Sequence, residues 1–218
     1  MSGKTSSGGS VATNRPTPTV VCDAGPIIHL DELGCLDLLA DFVAILIPDA
    51  VWREVAQHRA DALQRPGVQL TVVQPPAPDD AEFEVLAKAL SLDAGEQAAL
   101  LLMHQYSGAI LLTDDAAARL AAEQLGMRVH GTLGVLLRAP RRGQRTPEQV
   151  LALLQALPRE STLHIRPDLL EAVIAQARQE FGLCASENPG DRSPPRHRGG
   201  AGGGGRNTLR VRHRRSVS

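Results

Sequence analysis

The sequence predicts an α/β fold built on a central parallel sheet. Two apolar runs, residues 19–22 and 109–112, each end on acidic residues and are each followed by a helical pattern. Other apolar runs alternate with helical segments, and this alternation is typical of parallel strands joined by right-handed crossovers. Hydrophobic residues make up 43% of the chain, which is enough for a core of Leu, Val, Ile and Ala.

The first strand is expected over residues 19–22, which are apolar and β-branched. The turn that follows contains Pro26, and proline suits a first helical turn because its missing N–H is not needed there. Residues 27–42 predict two short helices, since Gly34 interrupts their apolar pattern. A second strand at 43–47 and a helix at 50–59, capped by Asp49, follow.

A weaker strand is expected over residues 69–73, and a helix opened by Asp79 or Asp80 runs to Leu90. The next helix, from Leu92 to about Tyr106, is apolar all round in its middle, as expected for a centrally packed helix. The later elements are a strand at 109–112, a helix at 116–125 ended by Gly126, a strand at 127–130, a helical segment at 135–138, and two helices at 147–157 and 167–181.

The two ends of the chain differ in composition from its middle. Residues 1–17 are rich in Ser, Gly and Thr, and residues 184–218 are rich in Gly and Arg, so both are expected to be disordered. From residue 186 onward eight Arg oppose two acids, a net charge of +6; the whole chain carries −1, so residues 1–185 carry −7. The acidic part would repel RNA unless a cation, local Arg residues or a partner intervene, whereas the basic tail would attract it.

The sequence shows no sign of export or membrane insertion. Residues 1–18 lack the apolar core of a signal peptide, and no apolar run reaches the ~20 residues of a membrane span. The three cysteines, Cys22, Cys35 and Cys184, have no CxxC spacing and predict neither disulfides nor a zinc site. A cytoplasmic location is therefore expected.

Acidic residues stand where two predicted strands end. Asp23 follows the first strand, and Asp114 and Asp115 follow the strand at 109–112. If these strands are adjacent, the three carboxylates meet at the sheet edge where α/β proteins bind ligands. Like charges gathered in this way need a partner, usually a divalent cation.

Several of these acids also have a purely structural explanation. Asp23 could form a turn or cap the helix after it, and Asp115 is well placed to cap the helix from residue 116. Asp93 and Glu96 have the spacing of a capping box, in which each side chain bonds the other residue's backbone N–H. The spacing alone leaves both explanations open.

Other polar residues are explained in the same way. Glu54 lies beside the buried face of an amphipathic helix, where exposed glutamates are common. Arg119 could form an ion pair with Asp115 four residues earlier or contact a phosphate. The histidines have no i, i+4 metal spacing and are explained as core or surface residues: His29, His58, His104 and His130.

Taken in order, these motifs resemble a known family. They are Asp23-Ala24-Gly25-Pro26, the stretch from Pro48 to Val55, Gly95-Glu96, the stretch from Leu111 to Asp115 with Arg119, and Gly131-Thr132-Leu133-Gly134. The chain is similar to PIN-domain (PilT N-terminal-like) proteins, in a branch related to VapC-type toxin ribonucleases. The expected division is a disordered leader (1–17), a PIN-like nuclease domain (18–140), a C-terminal helical extension (141–183) and a disordered Arg/Gly-rich tail (184–218).

The resemblance implies a three-layer PIN-like fold with a central parallel sheet, C-terminal helices and disordered tails. It also implies a metal-dependent endoribonuclease that uses Mg²⁺ or Mn²⁺. The implied catalytic acids are Asp23, Glu54, Glu96, and Asp114 or Asp115, of which Asp23, Glu96, Asp114 and Asp115 are the candidate metal ligands. Arg119 is the candidate phosphate contact. Candidate partners are an RNA substrate, a small antitoxin protein and a second copy of the chain.

One position departs from the family's pattern. Many PIN nucleases carry Ser or Thr two residues after the first acid, where this chain has Gly25. The alternative is therefore a non-catalytic PIN-like module that binds RNA or a protein. A phosphotransfer domain fits less well, because it needs a lysine after a late strand and the only lysines are Lys4 and Lys88.

Overall fold

A computed structural model describes residues 18–78 and 81–183. Within them one sheet has five parallel strands in the spatial order β3-β2-β1-β4-β5. The strands are β1 (Val20–Cys22), β2 (Ile45–Pro48), β3 (Leu70–Val73), β4 (Ile110–Leu112) and β5 (Arg128–His130). The predicted leader (1–17), the predicted tail (184–218), Asp79 and Asp80 lie outside the described residues.

Helices follow or connect these strands. The α-helices of the described residues are α1 (Ala24–Glu32), α2 (Asp49–Arg59), α3 (Ala81–Ala89), α4 (Ala94–Gln105), α5 (Ala116–Gln124), α6 (Thr132–Arg138), α7 (Pro147–Glu160) and α8 (Pro167–Glu180). Short 3₁₀ segments lie at Leu36–Asp41, Ala60–Gln64 and Ala139–Arg142. None of the helices described has the length and apolar character needed to cross a membrane.

The strands send alternate side chains to opposite faces of the sheet. Val20 and Cys22 of β1 join a core with α1, α2, α6, α7 and α8, whereas Val21 joins a second core with α3, α4 and α5. Strands covered on both faces are apolar throughout, which is why β1 and β4 read as continuous apolar runs. The predicted three-layer α/β fold with a central parallel sheet is confirmed.

Glycines end two of the helices, as predicted. Gly34, after α1, and Gly126, after α5, have φ of +63° and +68°, a left-handed conformation that glycine adopts without a steric cost.

Several helix limits differ from expectation: α1 begins at Ala24 rather than residue 27, α6 begins at Thr132 rather than residue 135, and the second short helix expected before residue 42 is the 3₁₀ segment Leu36–Asp41. Asp49 is not the cap of α2 but its first residue, after the N-cap Pro48. Helix α7 continues through Pro158 to Glu160; the proline removes one backbone hydrogen bond, and only two helical residues follow it.

The order of the strands creates a switch point in the sheet. From β1 the chain moves to β2 and β3 on one side, and then returns to β4 and β5 on the other. The two acid-ended strands are adjacent, since Val20 pairs with Ile110 and Cys22 with Leu112. In open α/β sheets ligands bind outside the carboxyl ends of the strands at such a point.

Candidate active site

Asp23 lies at the carboxyl end of β1, beside the end of β4. The hydroxyl of Thr113 donates a hydrogen bond of 2.8 Å to Asp23 Oδ2, and Asp23 is only 7% exposed. Asp23 occupies the N-cap position of α1, but its side chain makes no N-cap hydrogen bond. Burial raises the pKa of Asp23 to about 6, although the hydrogen bond from Thr113 opposes that effect.

Glu54 reaches the same edge from α2. Burial raises its pKa, and the negative charge of Asp93 raises it further. Gly95, in the first turn of α4, allows this approach: a Cβ there would lie 3.2 Å from Glu54 Oε2 and 3.3 Å from Asp93 Oδ1. The charge of Glu54 also raises the pKa of Asp23. The carboxylates of Glu54 and Asp23 therefore interact.

The predicted capping box of Glu96 is present at the start of α4. Asp93 Oδ1 accepts from the Glu96 N–H at 2.8 Å, and Glu96 Oε2 accepts from the Asp93 N–H at 2.9 Å. Burial raises the pKa of Glu96 to about 7; the Asp93 N–H opposes this, and the charges of Asp93 and Asp115 add to it. Glu96 thus both caps a helix and belongs to the group of interacting acids.

Asp115 also has two roles in the structure. Its Oδ1 accepts hydrogen bonds from the N–H groups of Ala117 at 2.7 Å and Ala118 at 2.9 Å, so it caps α5 as predicted. Besides burial and Asp93, the nearby carboxylate of Asp115 raises the pKa of Glu96. Asp115 therefore joins the acids of α4.

Asp114 faces α6 instead. Its Oδ1 accepts from the Thr132 N–H at 2.7 Å, while its Oδ2 accepts from the Thr132 hydroxyl at 2.5 Å and lies 2.8 Å from His29 Nδ1. The Asp114 side chain is 10% exposed. Because three protein groups already occupy its oxygens, Asp114 is less available to a cation than Asp115.

Arg119 does not form the expected ion pair with Asp115. Its Nη2 donates to the backbone carbonyl of Thr113 at 3.2 Å. Gly131 lies against the guanidinium, since a Cβ there would be 2.9 Å from Arg119 Nη2 and 2.5 Å from Asp114 Oδ1. The guanidinium therefore lines the space outside the ends of β4 and β5, and its contact with phosphate stays a prediction.

Comparison with known proteins identifies the family. A family model described as a PIN domain matches residues 19–179, which span the sheet and run into α8. The chain belongs to the PIN-domain family. No curated protein and no solved structure matches the chain. PIN domains are generally nucleases.

PIN domains typically use divalent metal ions. The acids described above could supply oxygen ligands to such an ion. Carboxylate oxygens are the ligands that Mg²⁺ and Mn²⁺ prefer. Burial raises the pKa of Asp23, Glu54 and Glu96, and a bound cation would favour their charged forms. Within the described ranges, no three His, Cys, Asp or Glu side chains are grouped closely enough to hold a metal ion. The donor chemistry therefore fits, and a cation would have to draw the carboxylates together.

Some partners of the acids are not evident from the sequence of this PIN domain. The spacing of the histidines does not predict the contact between His29 and Asp114, which are 85 residues apart. The Thr113 hydroxyl binds an acid that lies 90 residues earlier, and no local pattern predicts this contact. Asp93 is predicted only as a cap, yet its charge raises the pKa of Asp23, Glu54 and Glu96.

The corner between Asp114 and Arg119 can be tested by a pair of glycine substitutions. Gly131→Ala is expected to destabilise the domain by about 1–3 kcal/mol, as overpacking usually does, because its Cβ would lie 2.5 Å from Asp114 Oδ1 and 3.0 Å from the Thr113 carbonyl oxygen. Gly134→Ala is the control, since its Cβ would lie no closer than 3.4 Å to His130.

Alanine in place of a helical glycine stabilises by up to ~1 kcal/mol, so Gly134→Ala should raise the melting temperature. Thermal melts of the two variants should thus move in opposite directions. Equal shifts of the two melting temperatures would show that Gly131 is not closely packed against Asp114 and the Thr113 carbonyl.

Proposed function

We propose that this PIN domain is a metal-dependent endoribonuclease that hydrolyses phosphodiester bonds of RNA. The observation that supports it is the group of interacting acids at the switch point of the sheet: Asp23, Glu54, Glu96 and Asp115. A bound Mg²⁺ or Mn²⁺ would lower the pKa of the attacking water and stabilise negative charge on the phosphoryl oxygens.

The residues would divide the reaction as follows. Asp23, Glu96 and Asp115 would hold the cation. The Thr113 hydroxyl orients Asp23, and capping bonds fix Glu96 and Asp115. Glu54, whose pKa is raised by burial, accepts the proton of the attacking water on a carboxylate oxygen. Arg119 contacts a non-bridging oxygen of the phosphate from the side of α5.

Asp114 has a positioning role in this scheme. Its hydrogen bonds to Thr132 and its contact with His29 join the end of β4 to α6 and α1. Asp115 rather than Asp114 is therefore proposed as the fourth acid.

The test is cleavage of single-stranded RNA by the full chain. Cleavage should appear with Mg²⁺ or Mn²⁺, stop in chelator and return when the metal is restored. Asp61→Asn, which alters an exposed acid in a 3₁₀ segment, should cleave like wild type. Cleavage that persists in chelator, or no cleavage with either metal, would contradict the proposal.

The alternative is a non-catalytic PIN-like module that binds RNA or a protein, and Gly25 is the feature that favours it. A glycine there supplies no hydroxyl near Asp23. The missing side chain is not explained by lack of space, because a Cβ on Gly25 would lie 3.5 Å from His29 Cε1 and 3.6 Å from Asp114 Cβ.

Gly25→Ser is therefore expected to fold and to cleave RNA faster than wild type. Gly25→Ala is the control: both variants replace a helical glycine and should gain up to about 1 kcal/mol of stability, but only serine adds a hydroxyl. Initial cleavage rates at saturating Mn²⁺ separate the two effects. If wild type and both variants fail to cleave, the non-catalytic alternative is favoured.

Toxin activity in the cytoplasm, with a small antitoxin as partner, is part of the same proposal. It predicts that expression of the wild-type chain arrests bacterial growth and that Asp23→Asn does not. A homodimer is the proposed assembly, to be measured by light scattering. Growth arrest by both proteins would show that toxicity does not depend on the Asp23 carboxylate.

A further inference from the structure

A cavity of about 420 Å³ opens outside the ends of β4 and β5, next to the acids. Its walls come from three parts of the chain that are distant in sequence. Asp114 and Arg119 follow β4, His130 and Leu133 flank the turn after β5, and Ile165 and Arg166 precede α8. A cavity of this size is typical of sites that hold one small ligand.

The lining combines cationic and apolar groups. Among the described residues Arg119 pairs with no carboxylate. Its guanidinium donates to a backbone carbonyl instead. Arg166 is 3.5 Å from Asp168, and both side chains are more than 70% exposed, so this ion pair holds the guanidinium only weakly. Leu133, Ile165 and Leu169 add apolar surface.

The wall that precedes α8 is fixed to the rest of the domain. The carboxylate of Glu32, at the end of α1, accepts from the Thr162 N–H at 2.7 Å and from the Ser161 hydroxyl at 3.0 Å. The Ser161 hydroxyl in turn accepts from the Leu163 N–H at 3.2 Å. The segment that carries Ile165 and Arg166 is thus anchored to α1.

We propose that this cavity binds one unpaired RNA nucleotide adjacent to the cleaved phosphodiester and thereby gives cleavage a base preference. The inference rests on the proposed ribonuclease function. The two guanidinium groups, of Arg119 and Arg166, match a phosphate, and the apolar side chains match the faces of a base. His130 and His164, which also line the cavity, offer ring nitrogens to the base edge.

A single-stranded ligand is favoured over a duplex by the shape of the site. A base can enter a cavity only when it is unstacked and unpaired, as in loops and single strands of RNA. The adjoining Asp114 and the acids beyond it disfavour a second phosphate there without a cation. The phosphate that Arg119 and Arg166 contact is therefore the one at the acids, and the base lies against the apolar side chains of the cavity.

The first experiment measures binding of the four ribonucleoside 5′-monophosphates and of inorganic phosphate to the full chain in chelator, by calorimetry. At least one nucleotide should bind more tightly than phosphate. Arg166→Ala and Leu169→Glu should each weaken that binding by about tenfold or more. The matched controls, Arg178→Ala on α8 and Leu120→Glu on α5, alter exposed residues outside the cavity and should bind like wild type.

Two results would overturn the inference. One is that no nucleotide binds more tightly than phosphate, which would leave an anion site only. The other is that the cavity variants and their controls bind equally well. Circular dichroism melts of all four variants show whether lost binding reflects lost folding.

A second experiment separates this inference from the ribonuclease proposal. Cleavage sites are mapped on a random single-stranded RNA pool with Mn²⁺; wild type and the controls should share a base preference that Arg166→Ala and Leu169→Glu lose. Nucleotide binding in the cavity without any cleavage would contradict the ribonuclease proposal alone. Cleavage with an unchanged base preference in the cavity variants would contradict this inference alone.

Discussion

Asp23→Asn is expected to melt at a higher temperature than wild type in chelator, and to lose metal-dependent RNA cleavage. Asp23 is almost fully buried and lies near other acids, so its ionised form is unfavourable in the folded state. Asparagine keeps an oxygen that can accept the Thr113 hydrogen bond but carries no charge. Removing charge from a functional site often stabilises a protein in this way.

The sign and size of this effect follow from the pKa of Asp23. Burial raises it from 3.8 to about 6, so the stability that Asp23 contributes is fully present below about pH 4 and is lost as the pH rises through about 6. The difference between these values corresponds to about 3 kcal/mol. For a domain of this size that is up to roughly 6–12 °C in melting temperature.

The measurement is a set of thermal melts in chelator across this pH range. The advantage of Asp23→Asn over wild type should be small near pH 4 and full above about pH 7. Added Mn²⁺ should stabilise wild type by ~2.7 kcal/mol at a hundred times its dissociation constant, and the variant by much less. Asp61→Asn should follow wild type in every condition. A variant that melts lower in chelator and responds to Mn²⁺ like wild type would mean that Asp23 is only a turn residue.

Glu96→Gln is expected to fold normally and to lose most of its cleavage activity. Glutamine can still accept the Asp93 N–H, so the capping box persists. The negative charge that a cation needs is removed, and loss of a metal ligand should reduce cleavage by at least about 100-fold. This variant therefore separates the two roles of Glu96.

Initial cleavage rates with Mn²⁺ and melting temperatures in chelator are measured on the same preparations. Glu96→Ala removes the carboxylate and also the bond to the Asp93 N–H, and the loss of that hydrogen bond should cost about 0.5–1.5 kcal/mol. Glu123→Gln, at an exposed position of α5, should match wild type in both measurements. Retained cleavage together with lost stability in Glu96→Gln would show that Glu96 serves only as a cap.

Much of the fold could be predicted because its signals are local. Apolar runs specify strands buried on both faces, and glycines at positions such as Gly34 and Gly126 end helices. The capping box of Asp93 and Glu96 joins residues three positions apart. Such patterns are readable because the groups that satisfy them are neighbours along the chain.

The acids of the site could be named from the sequence, but their arrangement could not. Asp114 and Asp115 are adjacent and chemically identical, and the sequence left open which of them faces the other acids. The Thr132 groups and His29 that hold Asp114 lie 18 and 85 residues away. Arg119 similarly turns from the expected partner Asp115 to the Thr113 carbonyl at the strand end.

Local patterns specify the α/β class, the acids after two strands and the helix caps, because each depends on a few consecutive residues. The adjacency of β1 and β4, and hence the hydrogen bond from Thr113 to Asp23, depends on contacts across the whole fold. The same contacts bring Arg119 and Arg166 to one cavity. The physical reason is that strand order and helix packing minimise the free energy of the whole core, in which residues distant along the chain become neighbours.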